Sequence, residues 1–532
     1  MQSSRNQAHP VPAPLLLILC AVYLLTGLLD HNLWKYEDAV HVGVAWDMAQ
    51  GGSWLHPHLA GEPWHFPPLY YWLAASIGQL LSPILEFHNA ARLATAVFGA
   101  LLLFALGRAS AINLASQRHQ PYSQPGRFDA AAPLLMLGAP GLLLPIHEAQ
   151  PMIAVLAGQA LVYWGLAQLP QTMRGAIPLA LGISIATLAG GLHALLPLAP
   201  LLLLPLLSSA WRQSTSWRGG LIGIVITLTV IGAYIWLREA GLAPLRLQTN
   251  NAFSSIHFEL LSWFTWPMLP IALWSIWLHR RQLNAPHVLL PLLGSIGSVL
   301  LFLIYGEPRI LPALPILLPL TLLAASGAGR MRRGAANALD WFGMMAFTIA
   351  GALVWLGAVA LVFDTPPKVH RNFMRLTPDF VAHMSWSWLL ALLISALWIV
   401  IIFRSRRSPW RATTHWACGV MLLWGLCATL LMPWIDYGKN YTSVANKVAA
   451  AVGHLDDSKQ CIAGHNVGDA QRATLHYYAD LKLQRSTTTK RCGWLLVQGK
   501  PRVLPTPGEG WNKVWEGARP GDKAERYYLF KR

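Results

Sequence analysis

The sequence contains few charged residues. Only 12% of its 532 residues are Asp, Glu, Lys or Arg, whereas these residues make up roughly a quarter of a soluble globular protein. Hydrophobic residues account for 54%, and the mean hydropathy is +0.41. Apolar runs long enough to cross about 30 Å of hydrocarbon recur up to about residue 433. These features exclude an ordinary soluble fold and predict an integral membrane protein.

Acidic residues are scarcer than basic ones, with 23 Asp and Glu against 40 Lys and Arg, which gives a formal net charge of +17. The basic residues stand in short loops between apolar runs instead of forming one stripe, so we expect no nucleic-acid partner. Ionisable groups are nearly absent inside the apolar runs, where His193 is the main exception. This scarcity disfavours an ion-coupled transporter. No repeat of 20 to 50 residues is evident, which argues against a solenoid.

The apolar runs predict about thirteen membrane-spanning helices. The first run lacks a small-residue cleavage site, so we predict a retained span. The Lys/Arg bias places the loops around 34–88, 238–258 and 306–309, and everything after residue 433, outside the cytoplasm. This alternation requires segment 70–85 to lie on the membrane as an interfacial helix. The predicted spans are 12–29, 89–107, 130–146, 151–169, 176–190, 193–209, 219–237, 259–278, 287–305, 309–328, 341–363, 385–403 and 413–433.

The composition changes at about residue 434, where charged residues become frequent and apolar runs shorten to strand length. Strand patterns in "CIAGHN", "GWLLVQG" and "RYYLFKR", with a helical pattern within 464–480, predict a small α/β domain. We therefore divide the chain into 1–433, with a first outer loop at 30–88, and 434–532. Cys461 and Cys492 lie at predicted strand edges. Their positions are compatible with a disulfide and equally with two buried thiols.

The first outer loop contains the densest group of polar residues. It begins with Glu37 and Asp38, and apolar residues then alternate with His41 and Asp47. The pattern predicts a helix over 38–50 that rests an apolar face on lipid and turns its acids inward. An alternative is a helix N-terminus capped by acids beside an interfacial belt of Trp and Tyr. A loop rich in Gly and Pro follows and contains His56, His58, Glu62 and His65.

Several segments resemble one family of membrane enzymes. They are the acidic pair, "GGSWLHPHLAG", "PPLYYW", Arg92 in "NAARLATAVFGALLLFALGR", "HEAQPMIAVLAG", "GEPRILPALPILLPLTLLAA" and "VGDAQRATLHYYAD". In this order they resemble the clan C glycosyltransferases of family 39, which include the protein O-mannosyltransferases and the aminoarabinose transferases of lipid A. The matching segments run from about residue 14 to the C-terminus.

The resemblance implies an all-α polytopic fold with outer juxtamembrane helices and a C-terminal periplasmic α/β domain, in a bacterial inner membrane. It also implies an inverting transfer of sugar from a polyprenyl (undecaprenyl) phosphate donor at the periplasmic face. The acceptor would be an envelope glycolipid such as lipid A, or a protein. A flippase or transporter of lipid-linked saccharides, and a non-catalytic relative that binds polyprenyl lipids, remain alternatives.

The resemblance also assigns roles to residues. Glu37 and Asp38 occupy the place of the family's Asp-Glu pair in reversed order, so the base is Glu37 by position and Asp38 by residue type. We favour Glu37, because an extra methylene is easier to absorb than a shift of register. Arg309 would bind the carrier phosphate. Further candidates are Arg92, Arg246, His58, Gln150 and Tyr71 for substrate, and His65 and His257 for a divalent zinc or magnesium ion.

The sequence departs from the family at three places. Phe66 stands where a lysine is common, Gln150 where many members have aspartate, and Gly190 with Gly191 where a Lys-Gly pair is common. Each departure removes a charge that the transfer would use. They indicate a different donor or acceptor, or reduced activity.

Overall fold

The computed structural model describes residues 13–34, 36–117, 128–214, 226, 228–229, 232, 255–304, 309–405, 408–453, 461–485, 492–501 and 508–532. Most of these residues are helical. The helices are α1 Ala13–Leu25, α2 Glu37–Ala49, α3 Leu69–Leu81, α4 Phe87–Gln117, α5 Ala131–Leu137, α6 Pro140–Leu143, α7 Pro151–Gln168, α8 Ala176–Gly190, α9 Leu204–Leu207, α10 Ser209–Ser214, α11 Ser255–Phe264, α12 Met268–Leu278, α13 Pro286–Ile304, α14 Ile310–Ala313, α15 Leu317–Ala328, α16 Arg333–Phe363, α17 Pro367–Leu376, α18 Ser387–Arg404, α19 Arg411–Leu426, α20 Met432–Lys439, α21 Thr442–Val452 and α22 Asp469–Ala479.

The helices confirm a polytopic membrane protein. Within the described residues, 8 helical segments are long and apolar enough to cross a membrane, and α11 and α12 form a further candidate span bent by 88°. Two shorter apolar helical segments, Leu15–Leu25 and Leu192–Leu207, also coincide with predicted spans. The predicted span at 219–237 lies almost entirely outside the described residues.

The span predicted at 130–146 is not one continuous helix. It is divided into α5, α6 and a 3-10 turn at Pro145–His147. Pro140 and Pro145 each stand at the start of a new helical segment. Proline lacks the N–H that a continuing helix would need, so each of these residues begins a segment and cannot extend the previous one.

Two helices of the first outer loop, α2 and α3, lie beside the N-terminal half of α4. The 13 residues of α3 extend about 20 Å, which is less than the hydrocarbon thickness. The lipid-facing prediction for α2 was wrong, because Val40, Val42 and Met48 are buried in the protein core. Helix α22 covers α2 so closely that a Cβ on Gly43 would lie 2.6 Å from the Ala473 Cβ. Helix α2 therefore lies between the bundle and the C-terminal domain.

The C-terminal domain has the predicted α/β composition. Its strands are β3 Ile462–His465, β4 Leu483–Arg485, β5 Trp494–Gly499, β6 Asn512–Gly517 and β7 Arg526–Lys531, after a two-residue pair in the first outer loop, β1 His58–Leu59 and β2 Glu62–Pro63. The domain sheet has the order β4-β3-β5-β7-β6. Strand β3 runs parallel to β4 and β5, and β7 runs antiparallel to β5 and β6. Cys461 and Cys492 form a disulfide, which resolves the alternative left open by the sequence.

Candidate active site

Asp38 and Arg92 form a completely buried ion pair, with neither side chain exposed. The Arg92 Nε and Nη2 atoms lie 2.9 and 2.7 Å from the two carboxylate oxygens. Its other N–H groups donate to Asn89 Oδ1 and to the carbonyl oxygens of His31 and Asn32. All five guanidinium donors therefore have partners inside the protein.

The Asp38 carboxylate also has several hydrogen-bond donors inside the protein. It also accepts from the backbone N–H groups of Trp34, at 3.3 Å, and Ala149, at 2.9 Å. Burial alone would raise the pKa of Asp38, but the charge and hydrogen bonds of Arg92 outweigh it and hold the pKa well below its usual range. Asp38 thus ties α2 to α4 and to the segment 148–150 before α7, and it is an anion enclosed by the protein.

Glu37, one residue earlier, has a different environment. Its side chain is 44% exposed, and Oε2 lies 3.0 Å from His41 Nε2. The other ring nitrogen of His41 lies 2.8 Å from the Tyr71 hydroxyl, which accepts from the Trp64 indole N–H at 3.0 Å. Because an ionised carboxylate can only accept, His41 Nε2 donates to Glu37, and Nδ1 of the neutral ring then accepts from the Tyr71 hydroxyl. A chain of three hydrogen bonds therefore orients the Glu37 carboxylate.

Arg309 lies within electrostatic range of the same carboxylate. Burial raises the pKa of Glu37, but the hydrogen bond and electrostatic interaction with His41, followed by the charge of Arg309, more than offset burial, so the pKa lies below its ordinary value. Glu37 is therefore ionised at neutral pH. Arg309 itself is exposed and stands at the N-terminal boundary of α14. The structure thus brings together a predicted base and the predicted phosphate ligand.

Glu148 is a further candidate site residue, which the sequence prediction did not include. It lies between the 3-10 turn and α7, where its carbonyl oxygen accepts from the Thr95 hydroxyl at 2.8 Å. No residue in the described part of the chain donates a hydrogen bond to its half-buried carboxyl group. Burial and then the negative charge of Asp38 raise the pKa of Glu148 to about 8, although Lys439 and Arg92 oppose the shift. The sequence feature that could have identified Glu148 is the acidic residue in "HEAQ", two residues before Gln150.

The remaining predicted substrate ligands lie in different environments. Gln150 is buried and caps α7 by accepting from the Met152 N–H at 3.1 Å. Tyr71 is buried in the hydrogen-bond chain beneath Glu37, and His58 is half-buried in β1, where it pairs with Pro63. Arg246 lies outside the described residues. Arg92 is the enclosed partner of Asp38 and is separated from solvent.

The two predicted metal ligands have contrasting environments. His65 is exposed, whereas His257 is buried with its ring centroid 5.4 Å from that of Phe302. In the stretches that the structure describes, no three His, Cys, Asp or Glu side chains are grouped suitably for a metal ion. A divalent ion at this site therefore stays a prediction.

The C-terminal domain contacts the first outer loop through a charged network. Arg472 is buried and lies 3.0 Å from Glu62 and 3.3 Å from Asp469. Arg485 also approaches Glu62, at 2.7 Å, but it is 63% exposed. The domain is thereby fixed over the loop that contains Trp64 and leads into α3.

Comparisons with known proteins establish the architecture. No protein-family model and no curated protein sequence matches this chain. Two crystal structures of ArnT from Cupriavidus metallidurans, in the apo state and bound to undecaprenyl phosphate, have TM-scores of 0.66 and 0.65. Each comparison covers 97% of both chains at 16% sequence identity. The chain has an ArnT-like fold.

The ArnT-like fold confirms the architecture expected from the family resemblance. It covers both the helical bundle and the C-terminal domain. At 16% identity the likeness establishes the fold alone. The roles of individual residues in this ArnT-like chain rest on their own geometry.

Proposed function

We propose that this protein transfers a sugar from a polyprenyl phosphate donor to an envelope acceptor, a glycolipid such as lipid A, at the periplasmic face of the inner membrane. The observation that carries the proposal is the difference between two adjacent acids. Asp38 is enclosed by Arg92, whereas Glu37 is ionised, partly exposed and within range of Arg309. An oriented carboxylate beside a cation suits the deprotonation of an acceptor and the stabilisation of a departing phosphate.

In the proposed reaction, Glu37 accepts the proton of an acceptor hydroxyl or phosphate. The acceptor oxygen forms a bond to the anomeric carbon as the bond from that carbon to the carrier phosphate breaks, with inversion. The electron pair of the broken bond leaves on the polyprenyl phosphate. Arg309 stabilises the charge that develops on this leaving group, and His41 holds Glu37 in place.

Two further observations support this site and its orientation. One of the structures with this fold is ArnT bound to undecaprenyl phosphate, which is the class of carrier that the proposed donor would release. The disulfide between Cys461 and Cys492 is typical of an oxidising compartment. It agrees with a C-terminal domain on the periplasmic side, opposite the arginine-rich loops.

The test is transfer of label from a radiolabelled undecaprenyl phosphate sugar to an envelope lipid extract by the purified full chain. Glu37→Gln should lower the rate about 100-fold or more, as expected for loss of a general base. Asp480→Asn is the matched control, because Asp480 is a 94% exposed acid of the C-terminal domain, and it should leave the rate unchanged. Undiminished transfer by Glu37→Gln would reject the assignment of the base.

The fate of the same labelled donor distinguishes the alternative functions. A flippase would move labelled lipid between the leaflets of a vesicle without forming a labelled product. A non-catalytic relative would bind the donor without either outcome. Either result, obtained with the parent chain and a panel of sugar donors, would overturn the transferase proposal.

A further inference from the structure

A second candidate binding site lies at the end of the helical bundle opposite the C-terminal domain. There, residues of α12 and α16 line a groove of about 590 Å³. One wall contains Trp266, Ile271 and Trp274, and the other contains Ala338 and Phe342. The groove is independent of the candidate active site and of the proposed reaction.

The sequence of α16 explains why the groove is open. Residues 332, 335, 338, 339 and 342 recur at helical spacing and therefore share one face. Alanine occupies two of these positions, 335 and 338, opposite the large rings of α12. The small side chains leave unfilled space between the helices, and the Phe342 ring remains 52% exposed beside it.

The groove fits the length of one membrane leaflet. From Arg332 to Phe342, ten residues of helix rise about 15 Å, which is half of a 30 Å hydrocarbon layer. Its volume lies in the range of sites that enclose small ligands. A single acyl chain, entering from the basic end and running toward the bilayer centre, matches these dimensions.

Cations concentrate at one end of the groove. Trp274 and Trp277 stack with ring centroids 5.1 Å apart. The Arg332 guanidinium lies 5.5 Å from the Trp274 ring, and that of Arg280 lies 4.4 Å from the Trp277 ring. Two cations are thus held over one aromatic pair.

Negative charge is scarce around these cations. Among the described residues from 265 to 345, Asp340 is the only acid, and it is paired with Arg411 and His415. Helix α16 begins at Arg333 without an acidic residue in its first turn and without a side-chain cap. Its N-terminal dipole therefore adds to the positive potential at the groove entrance.

We propose that this groove binds an anionic glycerophospholipid, with an acyl chain between α12 and α16 and the phosphate beside Arg332 and Arg280. Basic pockets between helices at the cytoplasmic side of membrane proteins favour such lipids. The Lys/Arg bias predicts that this end of the bundle is cytoplasmic. Positive charge at one end of the groove and apolar surface along the rest of it define the class of ligand.

The test compares phosphatidylglycerol with phosphatidylcholine of identical acyl chains on the purified full chain in detergent, by native mass spectrometry. The parent should retain phosphatidylglycerol preferentially. Arg332→Gln should weaken its retention about fivefold, which corresponds to ~1 kcal/mol for one cation near an anionic lipid. Arg404→Gln removes another exposed arginine at the same end of the bundle, outside the groove, and should have no effect.

Two further measurements keep the test decisive. Ala338→Trp should fill the groove and reduce retention of both lipids, and thermal unfolding should show that each variant remains folded. Phosphatidylglycerol with a photoreactive acyl chain should label segments 266–274 and 335–342 of the unmodified chain. Equal retention of the two lipids, equal effects of Arg332→Gln and Arg404→Gln, or labelling confined to other helices would overturn the proposal.

Discussion

Arg92 donates from all three nitrogens of its guanidinium, and two of them contact the carboxylate of Asp38 at 2.7 and 2.9 Å. This pair connects α4 to the start of α2, and the Ala149 N–H extends the connection to the segment 148–150 before α7. The adjacent Glu37 is therefore presented from a fixed backbone. A reactive carboxylate placed this way needs little reorganisation before an acceptor arrives.

The first prediction concerns stability. Asp38→Asn should lower the free energy of unfolding by ~3–5 kcal/mol, because removal of one partner leaves the Arg92 charge buried and uncompensated. The measurement is the thermal unfolding midpoint of the detergent-solubilised protein. Glu37→Gln is the matched neighbour, and it should change the midpoint far less. An Asp38→Asn protein with parental stability and no transferase activity would instead make Asp38 the base.

The second prediction concerns the hydrogen-bond chain below Glu37. Tyr71→Phe removes the donor to His41 Nδ1 and the acceptor of the Trp64 N–H. His41 then loses its fixed orientation, and the pKa of Glu37 should rise toward its ordinary value because the His41 hydrogen bond that lowers it is weakened. The acid limb of the transfer rate against pH should therefore move to higher pH, with a lower maximum rate.

Tyr70→Phe provides the control for this experiment. Tyr70 is equally buried on α3, but its hydroxyl bonds Thr95 at 2.8 Å and is outside the Glu37 chain. Its loss should lower stability by ~1 kcal/mol and leave the acid limb in place. Identical pH profiles for the two variants would show that His41 does not control the protonation of Glu37.

The third prediction concerns the pH dependence of stability. Glu148 has a pKa of about 8 in the folded protein against 4.5 for an ordinary glutamate. Between these values the folded state keeps a proton that the unfolded state has lost, so stability falls as pH rises from about 5 to about 8. Glu148→Gln should remove this component, because an amide does not titrate. As pH rises, the unfolding midpoint of the variant should therefore increase relative to that of the parent.

One outcome of this experiment would contradict the prediction. Glu37 and Asp38 have lowered pKa values, so their contributions vary at lower pH and are common to both proteins. A constant difference between parent and Glu148→Gln over pH 5 to 8 would show that Glu148 is already ionised in the folded protein. In that case burial would not be the dominant influence on the pKa of Glu148.

The sequence predicted the architecture better than the separate roles of the acidic residues. Hydropathy identified most spans, because it is a local pattern. The role of Asp38 depends on Arg92, which is 54 positions away, and no local pattern reveals that pairing. The lipid-facing prediction for α2 was wrong for the same reason, since α22 buries that face from the far end of the chain. Glu148 was overlooked because its environment is produced by Asp38 and by folding around it.

The last prediction concerns the attachment of the C-terminal domain. Arg472 and Arg485 both contact Glu62, but Arg472 is 3% exposed and Arg485 is 63% exposed. An exposed ion pair contributes about 0–1 kcal/mol. The buried Arg472 also donates to the Leu483 carbonyl oxygen at 3.2 Å, so its loss disrupts more of this contact than the loss of Arg485. Arg472→Gln should therefore accelerate hydrogen exchange in segment 58–66 of the first outer loop and in α22, and Arg485→Gln should change it little. Because segment 58–66 contains Trp64, which donates to Tyr71, Arg472→Gln should also lower the transfer rate. Equal exchange in the two variants would mean that apolar packing of α22 on α2, and not this network, holds the domain over the site.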